Sequence, residues 1–265
     1  MTDALVVEDL RVAFGGLRAL DGVTIRVGAG EIVGLIGPNG AGKTTLFDGV
    51  CGFVSCEGSI TLAGRDIGAS SPHVRAAAGL GRSFQDARLF GALSVLETLQ
   101  VAAELHLERS GVLSTMAGLR RARRAERRAE ATASELIDLM GLAPYRAKFV
   151  RELSTGTRRI VDLACVLAQS PSVVLLDEPS SGIAQRETES LGPLLLGVRE
   201  HLSCSMVLIE HDMPLLLSLA ERVYALETGR VIAEGRPDDV VHDPEVIRSY
   251  LGADASAIQR SGRRT

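Results

Sequence analysis

An α/β fold with a mostly parallel core sheet is expected for this chain, and three observations predict it. A glycine-rich run, Gly37-Pro38-Asn39-Gly40-Ala41-Gly42-Lys43-Thr44, follows directly on the apolar run Ile32–Ile36. Two further uninterrupted apolar runs, Val173–Leu176 and Met206–Ile209, end in Asp177-Glu178-Pro179 and Glu210-His211-Asp212. Apolar runs of this length, bounded by turn residues, suit strands buried on both faces of a parallel sheet. The chain has 265 residues, 46% apolar and 23% charged, which is enough to bury a sizeable core without disulfides or metals. Its acidic, alternating start predicts no signal peptide, and no apolar run nears the ~20 residues of a membrane helix. A cytoplasmic chain is expected. The net charge of −4 argues against general nucleic-acid binding, and the four cysteines show no C-x-x-C spacing, so reduced thiols are expected.

The glycine-rich run fits G-x-x-x-x-G-K-[ST], and each residue type has a physical task. Glycines let successive backbone N–H groups curl around phosphate oxygens, and the helix predicted from Thr45 to Val50, with Gly52 as its cap, adds the partial positive charge of its N-terminus. Only two of the 29 basic residues are lysine, Lys43 and Lys148, and one of them stands in this loop. A compact ammonium at Lys43 suits the β- and γ-phosphates better than a planar guanidinium, and the Thr44 hydroxyl suits Mg²⁺.

Three buried-type strands then deliver polar chemistry at their carboxyl ends, the edge at which doubly wound sheets bind ligands. Asp177 is expected to hold Mg²⁺ and Glu178 to polarise the water that attacks the γ-phosphate. His211 is expected to donate to that phosphate or to position the water. The other histidines, His73, His106, His201 and His242, read as structural.

Taken together, these residues resemble the ATP-binding cassette (ABC) ATPases over roughly residues 4–252. Gln85 in Gly81-Arg82-Ser83-Phe84-Gln85 is similar to the family's Q-loop, Leu153-Ser154-Thr155-Gly156-Thr157 to its signature LSGGQ, and Phe14-Gly15 falls where an aromatic stacks on adenine. The resemblance implies ATP and Mg²⁺ as cofactors. It places nucleotide on Phe14, Gly37, Pro38, Asn39, Gly40, Ala41, Gly42, Lys43, Thr44 and Thr45, and Mg²⁺ on Thr44, Gln85 and Asp177. Glu178, His211 and Gln85 become the catalytic set. Ser154, Thr155 and Gly156 would close over the nucleotide of a second cassette, a copy of this chain or a different one. Ser154 also reads as an N-cap ahead of the apolar stripe Ile160, Leu163, Ala164 and Leu167, so the segment opens a helix able to hold an anion. Thr155, Thr157 and Ala184 depart from the family pattern; Ala184 cannot make the polar contact of the Asp often found there.

Finer features resemble the ATP-binding subunits of branched-chain amino acid uptake transporters. They are Phe14-Gly15-Gly16-Leu17-Arg18-Ala19-Leu20, Arg88-Leu89-Phe90, Leu93-Ser94-Val95-Leu96-Glu97, and the ending from Gly229 through Asp243-Pro244 to Ser249-Tyr250-Leu251-Gly252. The resemblance implies integral-membrane permease partners, a solute-binding protein acting indirectly, and a peripheral position on the cytoplasmic face of the membrane. Leu89 and Phe90 would help line the permease groove; ordinary core packing is the competing reading. Related members carry amides or urea, so the solute stays open. A nucleic-acid-associated cassette and a regulatory module without turnover are the rival classes. The single cassette without a long coiled-coil insertion speaks against the first, and Glu178 against the second.

The organisation follows: residues 4–86 and 170–252 as β portion and α/β core, with 4–30 antiparallel, and 87–169 as a helical subdomain. The tail 253–265 is expected to be disordered. The run Arg120–Glu130 holds six Arg and two Glu; it reads either as a solvated helix with Arg–Glu pairs or as a contact for anionic lipid.

Overall fold

In chain order the elements are β1 (Asp3–Phe14), β2 (Leu17–Gly28), β3 (Ile32–Ile36), α1 (Lys43–Cys51), β4 (Glu57–Leu62), β5 (Arg65–Asp66), α2 (Pro72–Ala77), β6 (Leu80–Arg82), α3 (Val95–Leu107), α4 (Leu119–Leu139), α5 (Thr155–Leu167), β7 (Val173–Asp177), α6 (Gln185–Leu202), β8 (Ser205–Ile209), α7 (Met213–Leu219), β9 (Arg222–Glu227), β10 (Arg230–Gly235) and α8 (Pro237–Val241). The structure, a computed structural model, describes residues 3–83, 89–107, 119–182 and 185–250.

The three apolar runs form β3, β7 and β8, each with all five residues buried. They lie in a six-stranded sheet of order β10-β9-β3-β8-β7-β6, parallel throughout except for the β9–β10 pair. Parallel pairing turns their carboxyl ends to one edge, and the register makes those ends level: Leu35 pairs with Ile209, and Ile209 with Asp177. Because successive strand residues point to opposite faces, each strand feeds two cores. Val33, Leu35, Val173, Leu175, Val207 and Ile209 meet α1 and the antiparallel strands. Ile32, Val174, Leu176, Met206 and Leu208 meet α3, α4, α5 and α6.

The antiparallel sheet, of order β2-β1-β4-β5, reaches beyond residues 4–30. β4 joins it because Ile60 and Leu62 pair with Val7 and Leu5, which puts four buried apolar residues on one face. The expectation that residues 31–86 belong to the α/β core is therefore corrected for 57–66.

In α4, Ala129, Ala133, Leu136 and Ile137 are buried while Arg124, Arg127 and Arg128 are exposed, the pattern of a helix with one solvated face. All four cysteines are free thiols. Among the described residues no helix is long and apolar enough to cross a membrane.

Candidate functional site

The glycine-rich loop runs from the end of β3 into α1, which starts at Lys43, two residues before the expected Thr45, and ends on Gly52 in the left-handed region. Gly37 has φ 145°, and a Cβ there would stand 2.1 Å from the Leu226 carbonyl oxygen, so no side chain fits. Gly42 has φ 105°, with its Cβ position 2.8 Å from the Ala19 oxygen. The β9–β10 turn braces the loop: the Gly229 N–H donates to the Ala41 carbonyl at 2.9 Å. Asn39, Gly40 and Thr44 are exposed, Pro38 and Thr45 half-buried, and Ala41 buried.

Lys43 is buried, and its Nζ donates to the loop's own carbonyls, Gly37 at 2.6 Å and Pro38 at 3.1 Å. Burial pulls its pKa below the usual lysine value, while the charges of Glu178 and Asp177 oppose that shift. The same interaction shows that the carboxyl end of β7 faces the loop. Asp177, the last residue of β7, is buried, and burial pushes its carboxyl up; Arg82 opposes the shift and Glu178 adds to it. Asp177 Oδ1 is buried with no hydrogen-bond partner among the described residues. An orphaned buried carboxylate oxygen beside an ammonium-bearing phosphate loop, with the exposed Thr44 hydroxyl on the first turn of α1, is a donor set that fits Mg²⁺.

Glu178, one residue past β7, adopts φ 49°, a left-handed conformation that costs a non-glycine residue about 1–3 kcal/mol. Its N–H donates to Ile209 O at 2.9 Å, which pins the turn to β8. Its Oε1 lies 3.0 Å from His211 Nε2. The expected meeting of β3, β7 and β8 at one edge is thus present for Lys43, Asp177, Glu178 and His211.

Ser154 caps α5: its Oγ accepts from the Thr157 N–H at 3.1 Å and lies 2.9 Å from Thr157 Oγ1. Ser154 and Thr155 are exposed and Gly156 is buried. The helix N-terminus is therefore open on one side, and Thr157, where the family pattern has glutamine, takes part in the cap. Phe14 closes β1 ahead of the Gly15-Gly16 turn and is 52% exposed, so it is not a core residue. Leu89 packs partly buried against the helical core while Phe90 is exposed. Gln85 and Ala184 lie outside the described residues, as does the tail 253–265.

Three residues at the site were not singled out by sequence. Arg82 is buried between the Phe47 and Phe53 rings, each centroid 5.7 Å away, and bridges Asp48 of α1 at 2.6 Å to Asp177 at 3.4 Å. The Tyr250 hydroxyl accepts from the Gly37 N–H at 2.8 Å. Glu210 is buried directly before His211. For Glu210 a signal existed: a charged residue directly continuing the apolar run Met206–Ile209. Arg82 and Tyr250 stand inside segments that carry the family resemblance, but nothing in those segments identifies their partners, and only the fold brings them to the loop.

Comparison with known proteins shows what the chain as a whole is similar to. A family model described as ABC transporter matches residues 20–181, and one described as branched-chain amino acid ATP-binding cassette transporter matches residues 230–256. The high-affinity branched-chain amino acid transport ATP-binding protein LivG of Salmonella typhimurium is 37% identical over 252 residues, covering 94% of this chain and 97% of that protein. The corresponding BraF protein of Pseudomonas aeruginosa is 35% identical with the same coverage. The lipopolysaccharide export system ATP-binding protein LptB of Escherichia coli is 34% identical over 251 residues, covering 94% of this chain and 98% of that one. Among solved structures, the ADP conformation of an ATP-binding cassette of an ABC transporter superposes with TM-score 0.81 at 27% identity, covering 95% of this chain and 100% of that one.

Proposed function

The chain belongs to the ABC transporter family, and from that premise we propose that it is the ATP-hydrolysing subunit of an uptake transporter for branched-chain amino acids. As a member of this family the chain is an ATP-binding ATPase. The choice of solute class is carried by one observation: residues 230–256 match the branched-chain transporter model, downstream of the general cassette match over residues 20–181. The 34% identity to LptB favours a second reading, the same engine coupled to a different solute.

In this reading the loop N–H groups and the Lys43 ammonium hold the β- and γ-phosphates. Lys43 exchanges its bonds to the Gly37 and Pro38 carbonyls for phosphate oxygens. Phe14 stacks on adenine. Asp177, Thr44 and Gln85 would hold Mg²⁺, which would neutralise charge on the phosphates. Glu178 accepts the proton of the attacking water, the bond from γ-phosphorus to the ADP oxygen breaks, and His211 donates to a γ-phosphate oxygen. Ser154, Thr155 and Gly156 close over the nucleotide of a second cassette, through the open N-terminus of α5. The permease subunits supply the membrane span and meet the helical segment 87–169, near Leu89 and Phe90; a solute-binding protein acts through them.

The test is ATP hydrolysis by the cassette with its co-purified membrane partners and binding protein. Stimulation by leucine, isoleucine or valine is expected. Robust hydrolysis stimulated only by another solute overturns the substrate class and leaves the cassette mechanism standing.

A further inference from the structure

We propose that Glu210 is a positioning residue that locks the turn after Glu178 and the turn carrying His211 into one unit. This inference rests on the hydrolysis reading above. Glu210 follows the last residue of β8 and is 3% exposed. Its Oε1 accepts the Ser180 N–H at 2.8 Å. Its Oε2 accepts the Ser180 hydroxyl at 2.7 Å and the His211 N–H at 3.1 Å, with the Asp212 N–H at 3.5 Å. One buried carboxylate thus binds two segments that approach the nucleotide edge from different strands.

The geometry decides what this does. Ser180 lies two residues after Glu178, and the Ser181 N–H donates to the Glu178 carbonyl at 3.0 Å, so Ser180 belongs to the same tight turn as Glu178. On the other side, Asp212 caps α7 by accepting the Leu215 N–H at 3.0 Å, which fixes the segment just after His211. Glu210 joins these two local structures at a point where neither strand ladder reaches. Without it, the two turns would be joined only at their bases, by the Glu178 N–H bond to the Ile209 carbonyl, and by the 3.0 Å side-chain contact between Glu178 and His211. With it, displacement of either turn carries the other along. A buried carboxylate is expensive to desolvate and is retained only where its hydrogen bonds are satisfied. Here it accepts three well-formed bonds, all from the groups it would couple.

Steady-state ATP hydrolysis by the full transporter, with melting temperature measured on the same samples, tests the proposal on Glu210→Gln, Ser180→Ala, the double variant and both changes in a His211→Ala background. Glu210→Gln turns one carboxylate oxygen into a donor facing donors. It is expected to lower kcat about 10–100-fold with the KM for ATP nearly unchanged, since misplacement at the reacting centre costs turnover and not binding. Ser180→Ala removes one bond and is expected to cost about 3–10-fold. The double variant is expected to be no worse than Glu210→Gln alone, and Glu210→Gln is expected to cost little further once His211 is alanine, because coupled residues are not additive. An unchanged kcat with a lowered melting temperature overturns the proposal and leaves a structural role. Equal losses with and without His211 overturn it too. Should Glu210→Gln fail to fold, Ser180→Ala decides: no loss of kcat in a stable variant overturns the coupling. Glu178→Gln run alongside separates the failures. If it leaves turnover intact, the hydrolysis reading falls and this inference with it; if it abolishes turnover while Glu210→Gln does not, only this inference falls.

Discussion

His211 Nε2 and Glu178 Oε1 stand 3.0 Å apart, a hydrogen bond between the ends of two adjacent parallel strands. Glu178 is only half-buried, held in a left-handed conformation, and near enough to Lys43 of the phosphate loop for its charge to act on that ammonium, which motivates its proposed role as general base. Glu178→Gln keeps the shape and removes the base. Turnover is expected to fall ~10²–10⁴-fold while ATP binding persists, read by single-turnover hydrolysis alongside equilibrium nucleotide binding. A change under tenfold would take the general base away from Glu178.

Lys43 spends its bonds on the Gly37 and Pro38 carbonyls in this structure, so its ammonium is already aimed into the loop's interior. Lys43→Ala is expected to weaken ATP binding by roughly 10–150-fold, the equivalent of about 1.5–3 kcal/mol for hydrogen bonds to a charged group. Titration calorimetry with ATP reads this directly, and unchanged affinity would contradict the phosphate assignment.

Phe14 is exposed at the end of β1, where its loss leaves no core cavity. Phe14→Ala is therefore expected to leave the melting temperature within a degree or two and to raise the KM for ATP by ~5–150-fold, from about 1–3 kcal/mol of base stacking. A fall in melting temperature with KM unmoved would make Phe14 a packing residue.

Asp162, within the α5 helix, has its pKa pushed up to about 6 from 3.8 by burial, with Arg159 opposing. A folded-state value above the unfolded one means that the native chain keeps a proton the unfolded chain has released between about pH 4 and 6. Stability falls as pH rises through that window. Above it the half-buried charge costs on the order of 1–2 kcal/mol, allowing for solvent screening. Asp162→Asn is expected to raise the melting temperature near neutral pH by about 2–6 °C and to lose that advantage near pH 4. A pH-independent difference would show that Asp162 ionises as an ordinary surface carboxylate.

Arg82 ties Asp177 to Asp48 from a position 7% exposed at its side chain. Arg82→Met is expected to destabilise the fold by about 3–5 kcal/mol, because it leaves the buried Asp177 carboxylate without its cation. Chemical denaturation measures it; a loss below about 1 kcal/mol would mean that the carboxylate is compensated by other groups.

The sequence by itself determined the local chemistry. Gly37–Thr44 needs only its own glycines, lysine and hydroxyl to announce a phosphate loop, and β3, β7 and β8 are legible because strands buried on both faces carry uninterrupted apolar runs, with polar residues only at their ends. The cap at Ser154 was equally legible, since capping is a contact between residues three apart. Only the tertiary structure decided which distant residues support that chemistry. Arg82 meets Asp48 and Asp177 across 34 and 95 residues of chain, Tyr250 meets Gly37 across 213, and Glu210 meets Ser180 across 30. The extension of the antiparallel sheet to β4 belongs with these, because its register to β1 is a choice among partners far apart in the chain. Local spacing encodes hydrogen bonds within a turn of chain. Long-range ones follow from how the layers stack, and no short window of sequence carries that information.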